Sequence, residues 1–397
     1  MTFHRKKLTY ISELCIAMES IYLDYNSTTP VDPKVLEAML PYFTQHFGNA
    51  ASSTHAWGWT ASAVVERARE QVAQLIGAEP NEIIFTSGST EALNLAIRGV
   101  AQAYSSVGNH LIVCATEHKA ILDTVQDLSK AGIEYSVLGV DREGRIDLIE
   151  LQKLLRDDTI LVAVMMANNE TGVIQDCGEI GRLCREKKII FLSDTTQAIG
   201  KVRVNVDEQS LDLCTLSAHK IYGPKGIGAL YVRRKNPRVS IHAQITGGGH
   251  ERGLRSGTLN VPALVGFGKA CELASEGGWD YGIHTSRWRT FLEQQLTIEY
   301  GHGFINGSIK SRLPNTSNIC FPKIKSEKLI KALPNIGMSM GSACTSAIPQ
   351  PSHVLKAMGL SDAEIYSSVR ISIGKNTSEE EIKETLVRME AVLSQHQ

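Results

Sequence analysis

The 397-residue sequence has no C-x-x-C pair, no long apolar run and no excess of charge of either sign. Its eight cysteines, at positions 15, 114, 177, 184, 214, 271, 320 and 344, are scattered. That spacing excludes a clustered zinc site or a secreted disulfide framework, and no metal centre is expected. Scattered thiols suit a reducing, cytoplasmic setting. No apolar stretch approaches the ~20 residues needed to cross a bilayer, so no membrane association is expected. The basic start, His4 to Lys7, leads into a short apolar stretch broken by Glu13, which is not the pattern of a signal peptide. Met18 stands just ahead of strand-like sequence at Ile21 and could serve as an alternative start. With 41 basic against 42 acidic residues, nothing global favours a polyanion, and direct nucleic-acid binding is not expected. Internal repeats and low-complexity segments are also absent.

What is present is the composition of an ordinary globular protein long enough for two domains, 43% hydrophobic and 21% charged. Short apolar runs alternate with polar clusters and helical patterns, which is βα alternation. Ser62 to Ala78 reads as a helix, with Val64, Ala68, Val72 and Leu75 on one face and Gly77 ending it. Strands are expected at Ile83–Thr86, Leu111–Ala115, Leu161–Met166, Ile189–Leu192 and Leu211–Leu216; their continuous apolar character suits strands covered on both faces. The fold class is therefore α/β, a large domain with a mostly parallel sheet flanked by helices, plus a smaller α+β domain. We place the large domain at 30–276 and the small one at 277–397. Residues 1–29 join the small domain, with 1–20 an extension without an assigned role. Longer helices such as Trp279 to Tyr300 follow the boundary, and the last runs from Ser378 to Gln395, opened by a Ser378-x-x-Glu381 capping box.

Each strand is followed by chemistry-bearing residues, and parallel strand ends share one edge where ligands bind. Gly88-Ser89-Thr90 precedes a helical run, so its N–H groups and hydroxyls form either a phosphate site or a plain capped turn. Asp194 closes a strand, where a buried carboxylate could pair with a protonated pyridine nitrogen or simply cap a helix. Gln197, one turn on, could reach the phenolic oxygen of the same ring. Ser217-Ala218-His219-Lys220, ahead of the glycine-rich Tyr222 to Gly228, places a lysine where an apolar setting can free its amine. His118 is placed to stack on such a ring and exchange protons, or is a satisfied, partly buried histidine. Cys344 lies in Met340-Gly341-Ser342-Ala343-Cys344-Thr345-Ser346-Ala347, a small-residue loop that is poor core material and suits a mobile nucleophilic thiol. The other seven cysteines read as small buried hydrophobes.

Several ordered blocks together resemble the class I cysteine desulfurases: Tyr22 to Pro30, Thr86 to Glu91, Thr116 to Lys119, Asn168 to Glu170, Ser217 to Gly228, Gly247 to Gly253, Arg255 to Thr258 and the Cys344 loop. The resemblance spans Ile21 to the C-terminus. It implies a fold-type I, pyridoxal-5′-phosphate-dependent transferase that works as a homodimer and converts L-cysteine to L-alanine, leaving a persulfide on Cys344 for a sulfur-acceptor protein. Lys220 is then the Schiff-base lysine; Gly88, Ser89, Thr90, Ser217 and His219 hold the phosphate, joined by Thr258 from the other subunit. Asp194 and Gln197 grip the ring, His118 stacks on it, and Asn169 and Arg370 orient the substrate carboxylate, for which an arginine fork is suited. Three features depart from the family pattern: Met1 to Ser20 has no counterpart in the compact members, Met338 and Met340 stand where small hydroxyl residues are usual, and the chain stops soon after its last helix. The short tail points to a dedicated pathway such as tRNA thiolation, a specialised iron–sulfur system or DNA phosphorothioation. Rival readings are selenocysteine cleavage, transamination of a small amino acid, or a non-catalytic partner in a sulfur-transfer complex; an intact Lys220, Asp194, His118 and Cys344 argue against the last.

Overall fold

The computed structural model describes residues 20–340 and 351–396. Its centre is a seven-stranded sheet made of β1 (Ile83–Thr86), β2 (His110–Cys114), β3 (Glu134–Leu138), β4 (Thr159–Ala163), β5 (Ile190–Asp194), β6 (Leu213–Ser217) and β7 (Gly228–Val232). The strand order is β1-β7-β6-β5-β4-β2-β3. Strands β2 to β6 run parallel, while β7 is antiparallel to both of its neighbours, β1 and β6. Every residue of β1, β2, β4, β5, β6 and β7 is buried. Separate apolar clusters fill the two sides of this sheet, as two-sided coverage by helices demands.

The five expected strands are all present, within three residues at their ends. Two others were not expected. Strand β3 is the sheet edge and exposes Glu134, Tyr135 and Val137, so its sequence lacks the apolar run of a covered strand. Strand β7 begins inside the glycine-rich stretch that follows Lys220. Gly228 opens it because the backbone is crowded there: a Cβ would stand 2.5 Å from the Leu216 carbonyl oxygen and 2.8 Å from Gly88 Cα.

The helix expected over 62–78 is α1 (Ala56–Ile76), ended by Gly77 in the left-handed conformation at φ 67°. Helix α2 (Ser89–Ala103) follows β1, and α3 (Lys119–Ser129) follows β2. The long helical stretch begins earlier than the sequence pattern indicated: α4 (Val261–Gln294) starts at an Asn260 cap with Pro262 in its first turn, runs through position 276 and continues as a π turn to Glu299. It packs against α1.

A second sheet joins Phe304–Ile305, β8 (Thr316–Cys320) and β9 (Ser368–Ser372), all antiparallel. Ile21–Tyr22 pairs in parallel with Ile336–Gly337, and Asp24 bridges to Ser372. A third apolar cluster lies here, built on Leu23, Trp288, Phe321, Val369 and Met389, and it takes in Met338. Short helix α5 (His353–Ala357) follows the segment 341–350, and α6 (Glu379–Leu393) closes the fold with the expected Ser378/Glu381 capping box. No helix among the described residues is long and apolar enough to cross a membrane.

Candidate active site

A cavity of about 680 Å³ opens at the carboxyl ends of the parallel strands. Gly88, Ser89 and Thr90 line it from the start of α2, and His118 from the start of α3. Asn169, Asp194, Gln197, Ser217, His219 and Lys220 line it from the strand ends, and Arg370 enters from β9. Eleven positions picked out by sequence thus meet in one space. Thr258 is exposed on this chain and stands outside the cavity. Cys344 lies outside the described residues.

Lys220 ends a single 3-10 turn directly after β6. Its Nζ donates to the carbonyl oxygens of Asn26 and Ser27, both at 2.6 Å. Burial, reinforced by the nearby Arg370 charge, pushes the amine down to about 8 from 10.5. Two residues on, Tyr222 is held at φ 65° by a hydrogen bond from its N–H to Thr29 Oγ1 at 2.9 Å. Such a conformation is costly for a bulky residue and persists only where its surroundings impose it.

Asp194 Oδ1 accepts from Thr215 Oγ1 at 2.9 Å and from the Thr196 N–H at 3.0 Å. Its Oδ2 has no partner among the described residues, so one carboxylate oxygen is free toward the cavity it lines. Helix α2 presents first-turn N–H groups without intrahelical acceptors. Arg255 pairs with Glu91 in that turn, Nε to Oε1 at 2.7 Å, which fastens the segment carrying Thr258 to the same helix start. His219 Nδ1 lies 3.1 Å from Thr28 Oγ1, and burial with the neighbouring Lys220 pushes it down to about 4. A neutral histidine offers a hydrogen bond and no added charge.

His118 stands at the start of α3. Its Nδ1 accepts from the Ala120 N–H at 3.1 Å and so caps α3, while its ring lines the cavity. The proton of the neutral ring is therefore on Nε2. Burial holds its pKa below the ordinary value.

Arg370 is only 2% exposed. It donates from Nη1 to the Asn169 carbonyl at 2.9 Å and from Nη2 to Asp24 Oδ1 at 2.6 Å, leaving Nε buried without a partner among the described residues. The run Asn168-Asn169-Glu170 divides its work. Asn168 Oδ1 closes the turn by accepting the N–H groups of Glu170 and Thr171, Asn169 faces the cavity, and Glu170 accepts from Ser352.

Both ends of the chain flanking 341–350 are fixed at this site. Ser339 exchanges two backbone hydrogen bonds with Arg370, at 2.7 and 3.1 Å. Beyond the segment, Ser352 is bonded to Glu170, and His353 Nε2 donates to the Glu117 carbonyl at 2.9 Å. The six described cysteines, at 114, 177, 184, 214, 271 and 320, are buried, and burial raises the pKa of each thiol.

The sequence reading did not single out Asn26, Ser27, Thr28, Asp24 or Lys201. The first four stand in the Tyr22 to Pro30 block, whose density of small polar residues after a strand was the available signal. Lys201 lay one helical turn after Gln197 and read as an ordinary lysine.

A free carboxylate oxygen, a buried amine of lowered pKa and an open helix start, set at parallel strand ends, fit pyridoxal phosphate: ring nitrogen, aldehyde and phosphate each find a group of the right kind. The fold and site thus define a fold-type I pyridoxal-phosphate enzyme. The aminotransferase class-V family matches residues 21–385, and within it the chain belongs to the cysteine desulfurases. It is 52% identical over 362 residues to cysteine desulfurase IscS of Anaeromyxobacter sp. (strain Fw109-5), an alignment covering 91% of this chain and 89% of that one. Among solved structures it is similar to a NifS-like protein, with TM-score 0.88, 37% identity and coverage of 94% and 99% of the two chains. It is also similar to SspA in complex with cysteine, with TM-score 0.79, 35% identity and coverage of 90% and 100%.

Proposed function

We propose that this enzyme takes sulfur from L-cysteine, receives it on Cys344 as a persulfide, releases L-alanine and passes the sulfur to an acceptor protein. The observation that carries this reading is the convergence of Lys220, Asp194, Arg370 and the start of α2 on one cavity, with Ser339 and Ser352, which flank 341–350, bonded to Arg370 and Glu170. SspA, a relative, has been seen with cysteine bound, which supports the substrate.

Pyridoxal phosphate, when bound, supplies an electron sink for charge developing at the substrate α-carbon. The start of α2 with Ser217 and His219 would hold the phosphate, Asp194 would pair with the ring nitrogen, and Gln197 would offer a hydrogen bond to the phenolic oxygen. Lys220, with its pKa near 8, attaches the cofactor and then moves a proton at the α-carbon. Arg370 and Asn169 hold the substrate carboxylate, and His118 covers the ring face. The Cys344 thiolate attacks the substrate sulfur. A sulfur–sulfur bond forms as the carbon–sulfur bond breaks, its electron pair stays with the three-carbon fragment, and protonation yields alanine.

The working unit is a homodimer, with Thr258 of the partner subunit completing the phosphate site. Large exposed apolar side chains support it: Leu40, Phe43, Phe47, Trp57 and Trp59 are each more than half exposed, and the Phe47 and Trp57 rings lie 5.0 Å apart. Residues 30–276 form the cofactor domain and 277–397 the small domain, with α4 crossing between them. The cytoplasm is the compartment.

Reductive trapping of the bound cofactor followed by peptide mass mapping should place it on Lys220. A cysteine-treated sample should carry one added sulfur on Cys344. In Cys344→Ala the cofactor colour should persist while sulfide and alanine formation stop. A cofactor trapped on another lysine would reject this arrangement.

A further inference from the structure

Lys201 is a second buried amine beside the cavity, and the chemistry above leaves it without a task. Its Nζ donates to Gln197 Oε1 at 2.7 Å and to Asn26 Oδ1 at 3.1 Å. Both acceptors have a fixed sense. Asn26 Nδ2 donates to the Asn169 carbonyl at 3.2 Å and to Thr316 Oγ1 at 2.9 Å; a carbonyl can only accept, so Asn26 Oδ1 must face the lysine. Gln197 Nε2 donates to the Asn26 carbonyl at 2.9 Å, which turns Gln197 Oε1 toward the lysine as well. Gln197 lines the cavity, and its second amide N–H has no partner among the described residues.

We propose that Lys201 is a positioning residue: it grips the oxygen end of the Gln197 amide, so that the glutamine offers the cofactor's phenolic oxygen a donor N–H and never a carbonyl. Without this grip the buried Gln197 oxygen would lose its partner, and the amide would rotate to find another. The network also reaches β8 through Thr316 and β9 through Ser372, whose Oγ accepts the Asn26 N–H at 2.9 Å, and Asn26 Oδ1 accepts from Asn315 Nδ2 at 3.1 Å. Burial, with Lys220 and Arg370 nearby, holds the Lys201 amine well below its ordinary pKa. A neutral amine still donates two hydrogen bonds, so the grip requires no buried charge.

The inference rests on the placement of Gln197 at the ring. A donor aimed at the phenolic oxygen stabilises the form in which that oxygen is most negative, so losing the donor makes the adjacent proton harder to remove. The test is a pH titration of the visible absorption of the loaded enzyme, read without turnover. Gln197→Ala and Lys201→Met should each move the midpoint upward by about 0.5 to 1 pH unit, and the double variant no further than either alone. Lys201→Arg, which keeps a donor, should restore most of the wild-type midpoint. Lys201→Gln, polar but too short to span both oxygens, is a second removal should Lys201→Met not fold. A shift in Gln197→Ala with none in the folded Lys201 variants overturns the proposal alone. No shift in Gln197→Ala overturns the placement of Gln197 and the proposal with it.

Discussion

Ser352 Oγ donates to the buried Glu170 carboxylate at 2.5 Å, which ties the residues just beyond the Cys344 segment to the turn that presents Asn169. The same hydroxyl accepts the Leu355 N–H at 3.1 Å and so caps α5. Burial holds the Glu170 carboxyl above the usual range, which favours the protonated form.

Ser352→Ala removes both bonds and leaves a buried carboxyl oxygen without its donor. The expected cost is about 1–3 kcal/mol, read as a lower midpoint in chemical denaturation. If the tether places the thiol, sulfide release should slow more than cofactor loading. Equal effects on both would reduce the tether to a stabilising contact.

Lys220 sets a pH dependence. With its pKa near 8, roughly a tenth of the amine is uncharged at pH 7, against about 0.03% for an ordinary lysine at 10.5. Cofactor uptake by the apo-protein should therefore accelerate as pH rises and level off above about 8. The folded pKa lies below the unfolded one, so between about 8 and 10.5 the unfolded chain binds more protons at this group. Its contribution to stability accordingly improves with rising pH across that window. Stopped-flow absorbance and pH-dependent denaturation of the apo-protein measure the two effects, and Lys220→Ala should lose both.

Arg370 offers a planar fork whose Nε is unpartnered among the described residues. Arg370→Lys keeps the charge and loses that geometry, so KM for cysteine should rise by about 10- to 100-fold while the cofactor spectrum changes little. Steady-state kinetics and an absorption spectrum suffice. An unchanged KM would move the substrate carboxylate elsewhere.

Gly228 admits no side chain without movement of Leu216 or the Gly88 turn, both of them backbone. Gly228→Ala should cost about 1–3 kcal/mol and weaken cofactor binding, since the displaced turn opens α2. Retained affinity in equilibrium dialysis would show that β7 yields and the turn does not.

The strand ends were legible because a covered parallel strand is a short apolar run, and the polar residues after it stand out. The exposed edge strand β3 carries no such contrast, and β7, although an apolar run, merges at its start with the glycine-rich stretch after Lys220. Lys201 was hidden for another reason: one of its two acceptors is Asn26, 175 positions away, which also orients the other, Gln197, and sequence spacing does not register a contact of that range. The Ser378/Glu381 capping box and Gly77 were readable because their chemistry is complete within four or five residues.

Six thiols sealed in the interior leave a quiet background for labelling. An alkylating reagent added to the native protein should not reach them, so modification in a short pulse can be assigned against a fully labelled denatured control. Sulfur loading and unloading could then be followed by gel shift or intact mass on a chain in which Cys15 alone is replaced, with no need to strip the protein of these six cysteines.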